Sequence, residues 1–308
     1  MELQSKTAVS AIGRAAPRRS LWRIRIADYV ELTKPGVIWL ILMSTGAGFY
    51  IGAQGAVDLL LLFHAVLGTA LVAGGTGTLN QYLEREGDAR MRRTEKRPLP
   101  ARRMEPRTAL VFGISLSTLG MLQLALAVNL LASFLALGTL ASYLLLYTPL
   151  KKRTVYCTLV GALPGAMPPV IGWAAARGEI GLEAVVLFAI LFLWQFPHFL
   201  AIAWMYRDDY ARGGIVMLPV IDRDGKSTGR QINFCAWLLL PVSLLPAFMG
   251  MAGPVYLFGC LALGLAFIYY AVSADLSRSL RGARRLLLAS VVYLPLMLAL
   301  MVVDKVKL

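Results

Sequence analysis

Charged residues are scarce in this chain of 308 residues, and cysteine is scarcer still. Asp, Glu, Lys and Arg make up 16% of the sequence, where a soluble domain averages about a quarter, and 58% of the residues are hydrophobic. This balance excludes an ordinary soluble globular domain. The three cysteines, Cys157, Cys235 and Cys260, lie far apart in apolar runs, so their spacing fits neither a disulfide framework nor a zinc site.

Long apolar runs take the place of the missing charge. Several of them reach the roughly 20 residues that a helix needs to cross about 30 Å of hydrocarbon. Lipid permits only helices or closed barrels, and no run shows the alternation of a barrel strand. We therefore predict an all-α polytopic membrane protein with nine transmembrane helices. The predicted spans cover residues 36–53, 59–79, 108–127, 130–148, 155–175, 182–204, 232–252, 255–274 and 286–303.

Basic residues are concentrated on one side of these predicted spans. The net charge of +14 could indicate a nucleic-acid partner, but 28 of the 31 Lys and Arg residues fall in inside segments when the N-terminus is placed inside. This positive-inside bias argues for a membrane topology instead of nucleic-acid binding, and it predicts a cytoplasmic N-terminus. Residues 1–35 would form a basic cytoplasmic tail, and residues 36–308 the transmembrane domain. The Arg-rich start could alternatively be an organelle transit peptide. Its direct continuation into a multi-span chain argues against a cleaved secretory signal, and we favour a cytoplasmic tail in a bacterial inner membrane over a mitochondrial one.

The segment NQYLEREGDARMRRTEKRPLP, residues 80–100, places charges of both signs directly after the second span. Asn80, Glu84 and Asp88 are spaced i, i+4 and i+8, so they share one stripe on a continued helix. Mg²⁺ typically takes one or two carboxylates together with substrate phosphates. The cations that follow, including Arg93 and Arg97, suit phosphate. The pattern predicts a metal–diphosphate site, and a solvated loop with internal ion pairs is the alternative.

A second acidic cluster follows the sixth span. Asp208 and Asp209 come directly after that span, in YRDDYARGG, and Asp222 lies further along the same loop. Two acidic clusters at the cytoplasmic ends of helices could hold a diphosphate through Mg²⁺ from two sides. We therefore predict metal binding by Glu84 and Asp88 together with Asp208 and Asp209, while Asp222 stays open as an alternative ligand.

A third inside loop, YTPLKKRT at residues 147–154, supplies three consecutive cations. We expect Lys151 and Lys152 to contact phosphate. Tyr147 could face a cationic intermediate or donate a hydrogen bond, although tyrosine at the end of a span is commonly an interfacial anchor. Together with the two acidic clusters, this loop places the predicted binding chemistry on the cytoplasmic face.

Two features inside the predicted spans have competing interpretations. His198 lies in WQFPHFLAIAW, about 15 Å along a regular helix from Asp208. An ionisable residue within a span is a functional candidate, so His198 is either a substrate contact or a hydrogen-bonded structural residue. The GGTG stretch at residues 74–77 does not fit GxGxxG and follows no strand. Close helix packing or a bend explains it better than a dinucleotide site.

Several of these segments resemble the UbiA family of intramembrane prenyltransferases. NxxxExxxD followed by MRRTEKRPL resembles the family's first acid-rich motif, and WQFPHFLAIAWMYRDDYARGGIVMLPV resembles the second-motif region of its haem-farnesylating branch. YTPLKKRT, GALPGAMPPVIGW and ARRLLLASVVYLPLML resemble further segments, so the resemblance covers roughly residues 28–300. Glu84 and Glu86 depart from the pattern because Asp is usual there, and the second region is not a clean DxxxD.

The resemblance implies a nine-helix bundle around a central cavity open toward the cytoplasm and the membrane. The implied reaction, with Mg²⁺, transfers the farnesyl group of farnesyl diphosphate to a vinyl group of protohaem IX, and the product supplies terminal oxidases. Asn80, Glu84 and Asp88 match the first motif and Asp209 falls in the second, so these four are the expected catalytic residues. His198 is the candidate haem contact. A haem-modifying enzyme or an oxidase subunit would be a further partner, besides the lipid bilayer.

Three other functions fit parts of the pattern. A prenyltransferase acting on an aromatic quinone precursor needs the same diphosphate site, although the FPHF and MLPV segments favour haem. A transporter would use the charged residues as gates, but the sequence shows no convincing internal repeat. A haem-handling or oxidase-assembly protein would bind haem without needing Glu84 and Asp88. Turnover that depends on Mg²⁺ and farnesyl diphosphate would separate an enzyme from the last two.

Overall fold

The computed structural model describes residues 26–306, so most of the predicted basic tail, residues 1–25, lies outside the described part of the chain. Nine helical segments of residues 26–306 are long and apolar enough to cross a membrane, as predicted. The helices are α1 (Ile26–Thr33), α2 (Pro35–Gly52), α3 (Leu59–Asp88), α4 (Pro106–Ala127), α5 (Leu130–Ala141), α6 (Thr148–Leu150), α7 (Cys157–Ala166), α8 (Pro168–Arg177), α9 (Leu182–Met205), α10 (Arg207–Arg212), α11 (Leu218–Ile221), α12 (Lys226–Phe248), α13 (Pro254–Ser277) and α14 (Leu280–Val303).

The helices extend beyond several predicted spans at the end of the bundle that carries Asp88, Lys151 and Asp209, which we call the polar end. The second span was predicted to end at residue 79, but α3 continues to Asp88. The ninth span was predicted from residue 286, but α14 begins at Leu280. Hydropathy marks only the hydrocarbon-crossing part of a helix, whereas the backbone hydrogen bonds continue where charged side chains reach water.

Two spans are irregular, and each irregularity has a local cause. The fifth span consists of α7 and α8, which meet at Met167 because Pro168 and Pro169 lack the amide hydrogens that would continue the ladder. The fourth span consists of α5 and α6, joined by a π-helical turn at Ser142–Tyr147. Such π-turns often occur at functional sites because they shift the side chains that follow.

The core of the bundle lies mainly between α9, α12, α13 and α14, with α2 and α8 packed against it. Helices α2 and α8 cross so closely that a Cβ atom on Gly48 would lie 2.1 Å from the Pro169 carbonyl oxygen. A Cβ on Gly172 would lie 1.9 Å from the Thr45 carbonyl oxygen. Small residues on both helices therefore bring the two backbones together, as is common in membrane bundles. The three cysteines are buried and free.

The GGTG stretch is a packing surface, as predicted. Cβ atoms on Gly74 and Gly77 would lie 3.4 Å and 3.2 Å from Thr33, the last residue of α1. A Cβ on Gly75 would lie 2.1 Å from the Ser117 hydroxyl on α4. The glycines thus let α1 and α4 approach α3 on different faces. This seats the end of α1 one turn from Asn80, at the polar end.

Candidate active site

The predicted polar stripe forms on the last turns of α3. Asn80 and Asp88 are buried, at 0% and 2% exposure, and the Glu84 side chain is 15% exposed. Each of the three side chains contacts a different segment of the polar end: the start of α2, the end of α6 and the loop after α3, respectively. The stripe is therefore the place where separate parts of the chain converge.

Lys34, which the sequence analysis left in the basic tail, contacts the first residue of the stripe. Its Nζ donates to the Asn80 Oδ1 over 2.6 Å. Its backbone adopts the left-handed conformation, with φ of 58°, between the end of α1 and Pro35 at the start of α2. Pro35 disfavours the helical conformation in the residue before it, which helps to end α1 here. The sequence signal for this role was a lysine directly before the proline that begins an apolar span.

The surroundings of Lys34 make its protonation state sensitive to nearby charge. Burial, and secondarily the charge of Arg97, lower the pKa of Lys34 to about 7. The carboxylates of Glu84 and Asp88 act in the opposite direction but do not offset the burial. An added negative charge at this site would therefore favour the protonated form of Lys34.

Lys151 binds the second residue of the stripe, in agreement with a role at the predicted site. Its Nζ donates to the Glu84 Oε1 over 2.8 Å and lies 4.4 Å from the centroid of the Tyr147 ring. Burial alone would lower the pKa of Lys151, but Tyr147 and the Glu84 carboxylate outweigh burial and hold that pKa well above its usual range. Lys151 therefore stays charged.

The π-helical turn explains why two tyrosines lie beside Lys151. Tyr143 and Tyr147 have ring centroids 5.0 Å apart, and both lie on the turn that precedes α6. A Cβ on Gly161 would come within 2.5 Å of the Tyr147 ring, so this glycine of α7 makes room for it. Tyr143 was not predicted, although its spacing of four residues from Tyr147 was visible in YLLLY.

Arg97 pairs with the third residue of the stripe. Its Nη1 donates to the Asp88 Oδ2 over 2.7 Å, and the Thr94 hydroxyl donates to the Asp88 carbonyl oxygen over 2.8 Å. Arg93 turns elsewhere: its guanidinium lies 5.3 Å and 5.5 Å from the ring centroids of Tyr206 and Tyr210. The ion-pairing alternative of the sequence analysis therefore describes Arg97, while Arg93 packs on aromatic rings.

In the second acidic cluster, Asp209 bonds to the loop after α3, and its predicted role as a metal ligand stays a proposal. Asp209 is buried, and its two carboxylate oxygens accept the backbone N–H groups of Arg92 and Arg93 over 3.2 Å and 3.1 Å. Arg212 also donates to it. Both oxygens therefore have amide donors from the loop after α3, so Asp209 fastens that loop to α10.

Asp208 and Asp222 have no hydrogen bond or ion pair with the stripe among the described residues. The Asp208 side chain is 89% exposed, and its nearest cation is Arg207 at 3.9 Å, so the prediction of Asp208 as a metal ligand finds no support in this geometry. Asp222 accepts from the backbone N–H and the hydroxyl of Thr228, over 2.6 Å and 2.8 Å. It stabilises the start of α12, as a capping residue does.

The connection between α10 and α11 packs against the end of α3 and against the loop after α6. A Cβ on Gly87 would lie 3.4 Å from the Gly213 carbonyl oxygen, and the Val216 N–H donates to the Lys151 carbonyl oxygen over 2.6 Å. A small cleft remains between these segments, and Lys152 belongs to its lining. The lining residues are Glu84, Gly87, Asp88, Met91, Lys151, Lys152, Gly213 and Ile215.

His198 lies apart from these contacts, between α9 and α14. Its Nδ1 lies 2.8 Å from the Ser290 hydroxyl, and its ring stacks on Trp194 with the centroids 4.7 Å apart. The Trp194 indole N–H donates to the Ser290 carbonyl oxygen over 2.9 Å. The structure thus gives His198 the hydrogen bond of the structural interpretation, while its place in a span leaves the predicted haem contact as a proposal.

The donor set of the stripe fits a magnesium ion that is bound together with phosphate. Within residues 26–306, no three His, Cys, Asp or Glu side chains come together as a complete metal site. Mg²⁺ bound with a substrate diphosphate needs only one or two carboxylates from the protein. Glu84 and Asp88, with the Asn80 amide oxygen beside them, provide such a set on one helix face.

Fold and site together define an intramembrane helical enzyme class in which buried acids and bases meet at one end of the bundle. The UbiA prenyltransferase family matches residues 41–298 of the chain. The chain therefore belongs to the UbiA prenyltransferase family.

Relatives of known name agree with this assignment. It is 56% identical to a protoheme IX farnesyltransferase of Solibacter usitatus, over 90% of this chain and 98% of the relative. It is 48% identical to a protoheme IX farnesyltransferase of Koribacter versatilis, over 94% of this chain and 97% of the relative.

The fold agrees with that of two solved UbiA homologues. The homologue from Aeropyrum pernix matches with a TM-score of 0.71 at 17% identity, over 87% of this chain and 97% of the other. The homologue from Archaeoglobus fulgidus, solved bound to GPP and Mg²⁺, matches with a TM-score of 0.64 at 16% identity, over 89% of this chain and 99% of the other. At these identities the likeness concerns the fold.

Proposed function

We propose that this protein transfers the farnesyl group of farnesyl diphosphate to a vinyl group of protohaem IX. The observation that carries the proposal is the buried meeting of Asn80, Glu84 and Asp88 with Lys34, Arg97 and Lys151 at one end of an apolar bundle. Acids that can hold a metal lie beside cations that can hold phosphate, which is the chemistry of a diphosphate site. The names of relatives at up to 56% identity support protohaem as the acceptor.

In this proposal, Glu84 and Asp88 hold Mg²⁺, with Asn80 as an additional oxygen donor. Lys34, Arg97 and Lys151 bind the oxygens of the diphosphate. Mg²⁺ would supply neutralisation of the negative charge that develops on the leaving diphosphate as the allylic C–O bond breaks. The three cations act on the same charge, and each well-placed donor contributes roughly 100-fold in rate. Lys152, in the lining of the cleft, gives a further contact for phosphate.

The apolar helices protect the allylic cation that this bond cleavage forms. The vinyl carbon of protohaem attacks that cation, a C–C bond forms, and water adds to the neighbouring carbon with loss of a proton. Tyr143 and Tyr147 lie next to Lys151, where the electron-rich faces of their rings can stabilise positive charge. Exclusion of water from the first step prevents simple hydrolysis of the diphosphate.

His198 is the proposed contact for the haem acceptor. It is partly buried between α9 and α14. The same diphosphate site would serve an aromatic quinone precursor as acceptor, so the acceptor is the part of the proposal that needs a direct test. An oxidase subunit or a haem-modifying enzyme as partner has no observation to support it here.

The charge distribution supports a bacterial inner-membrane location with the polar end in the cytoplasm. The polar end carries most of the cations of the chain, in agreement with the positive-inside rule. At the opposite end, Arg177 donates to the Gly52 carbonyl oxygen over 2.6 Å, and Lys305 donates to the Ala53 carbonyl oxygen over 2.7 Å. These two cations therefore cap the end of α2. Their structural role does not change the excess of Lys and Arg at the polar end.

The test uses purified protein in lipid with farnesyl diphosphate, protohaem IX and Mg²⁺, followed by mass spectrometry of the haem. A haem heavier by a farnesyl group plus water supports the proposal, provided that Asp88→Ala and a chelator each abolish the product. Unmodified haem together with farnesylation of an aromatic acid would show that the acceptor is the aromatic acid and not protohaem. Absence of metal-dependent turnover with any prenyl diphosphate would refute the enzymatic proposal and favour a transporter.

A further inference from the structure

Arg103 connects α1 with the loop after α3, at points that are each followed in the chain by a cation of the site. Its Nη2 donates to the Glu31 Oε2 over 2.6 Å and to the Lys96 carbonyl oxygen over 2.8 Å, while its Nη1 donates to Asp28. Glu31 and Asp28 belong to α1, whereas Lys96 belongs to the loop after α3. One guanidinium therefore holds α1 and this loop together.

Each segment leads directly to a cation at the stripe. Three residues after Glu31, the chain reaches Lys34, whose Nζ contacts Asn80. One residue after Lys96, it reaches Arg97, whose guanidinium contacts Asp88. A shift of either segment would move its cation relative to the stripe.

The end of α1 also has polar contacts with α3. The Gln81 Nε2 donates to the carbonyl oxygens of Glu31 and Leu32 over 3.2 Å and 3.0 Å. Leu32 packs in one apolar cluster with Leu99 and Met104 of the loop, the latter next to Arg103 in sequence. These contacts fix both the position and the direction in which α1 delivers Lys34.

The contacts of Arg103 fix the position of α1 relative to the loop after α3. The Asp28 side chain is only 3% exposed, so its carboxylate depends on Arg103 for charge compensation. The planar guanidinium can serve three acceptors at once, which a lysine ammonium on a flexible stem does less well. The arrangement therefore couples a buried acid of α1 to the backbone beside Arg97.

We propose that Arg103 is a positioning residue that holds Lys34 and Arg97 in register with the stripe. The proposal rests on the proposed diphosphate function of the stripe. Arg103 does not itself contact the stripe in this structure; it acts through the two segments that it fastens.

The test compares Arg103→Gln with Arg107→Gln in lipid. Arg107 is exposed and has no ion pair within the described residues, so it is the matched control. We expect Arg103→Gln to raise the KM for farnesyl diphosphate by roughly 10- to 100-fold, since small misplacement of binding groups has effects of this size. The KM for protohaem should stay unchanged, and Arg107→Gln should behave as the wild type.

A double-mutant cycle separates positioning from a general loss of structure. Because Arg103 acts partly through Lys34, the effect of Arg103→Gln on the KM for farnesyl diphosphate should shrink in a Lys34→Ala background. The proposal would be overturned if the effects of the two substitutions on this KM simply multiplied. It would also be overturned if Arg103→Gln raised the KM for both substrates equally. Gln81→Leu, which releases α1 without touching Arg103, should reproduce the rise in KM if Arg103→Gln yields too little folded protein.

A binding readout keeps this inference distinct from the proposed reaction. Mg²⁺ with inorganic pyrophosphate should raise the Tm of the wild type and of Arg107→Gln more than that of Arg103→Gln. Equal shifts in all three proteins would refute the positioning role even if haem is farnesylated. A shift lost only in Arg103→Gln, with no farnesylated haem from any variant, would support the positioning role and refute the proposed acceptor.

Discussion

Two neighbouring acids offer a matched test of how the loops are held at the polar end. The change is Asp209→Asn, with Asp208→Asn as its control. Asp209 is buried and accepts two backbone N–H groups from the loop after α3, whereas the Asp208 side chain is 89% exposed and 3.9 Å from its nearest cation. The two substitutions are chemically identical and one residue apart, so any difference between them reports on the local contacts.

The magnitude follows from the hydrogen bonds of Asp209. A hydrogen bond to a charged group contributes about 1.5–3 kcal/mol. Asparagine keeps one acceptor oxygen but turns an amide nitrogen toward the second N–H donor, so we expect a loss of about 2–3 kcal/mol in the closed loop arrangement. That corresponds to about 30- to 150-fold in the equilibrium. A weak, exposed ion pair such as Asp208–Arg207 contributes little, so Asp208→Asn should have no measurable effect.

The assay is kcat/KM for farnesyl diphosphate at fixed protohaem, combined with limited proteolysis of the loop that contains Arg92 and Arg93. Asp209→Asn should lower kcat/KM and make the loop more susceptible to cleavage, because one of the two backbone N–H groups loses its acceptor. If both variants lower kcat/KM equally, the loop contacts do not explain the role of Asp209. If Asp209→Asn lowers kcat/KM with the loop equally protected, Asp209 acts on substrate or metal directly.

Three further predictions test the site and the bundle separately. Asp88→Asn should lower the rate of pyrophosphate release by roughly 100-fold or more, because it removes a carboxylate placed for the metal. His198→Gln should raise the KM for protohaem and leave that for farnesyl diphosphate unchanged, as measured by steady-state kinetics. Gly48→Ala should lower the Tm, since its Cβ would lie 2.1 Å from a backbone oxygen and overpacking costs about 1–3 kcal/mol. Gly46→Ala, with no atom within 4 Å of the added Cβ, should not lower it.

The periodic features of the sequence predicted the fold and the stripe. Apolar runs long enough to cross a membrane marked all nine spans, because helix length and hydropathy are local properties. The i, i+4, i+8 spacing placed Asn80, Glu84 and Asp88 on one face, because α3 continues without interruption through them. The glycines at residues 74–77 were predicted as packing residues for a similar reason: a run of small residues allows close approach whatever the partner.

Two residues at the site, Lys34 and Tyr143, could not be predicted, because their positions depend on non-local geometry. Lys34 reaches Asn80 only because its backbone is left-handed and α1 is seated on α3. Tyr143 lies beside Lys151 through a π-helical turn that hydropathy does not reveal. The hydrogen bonds that Asp209 accepts from the backbone N–H groups of Arg92 and Arg93 could not be predicted either, because no side-chain pattern records them.

The pairing within the cluster indicates how the site can be stable before substrate arrives. Glu84 is bound to Lys151 and Asp88 to Arg97, so buried carboxylates that would otherwise be costly are compensated. When Lys34 is protonated, three cations face two carboxylates, and the excess positive charge favours an anion. We expect binding of a metal diphosphate to exchange these partners: the carboxylates pass to the metal and the cations to the phosphate oxygens. Each ion pair is then replaced by two new charge contacts, so the site can bind a highly charged ligand without leaving a buried charge unpaired.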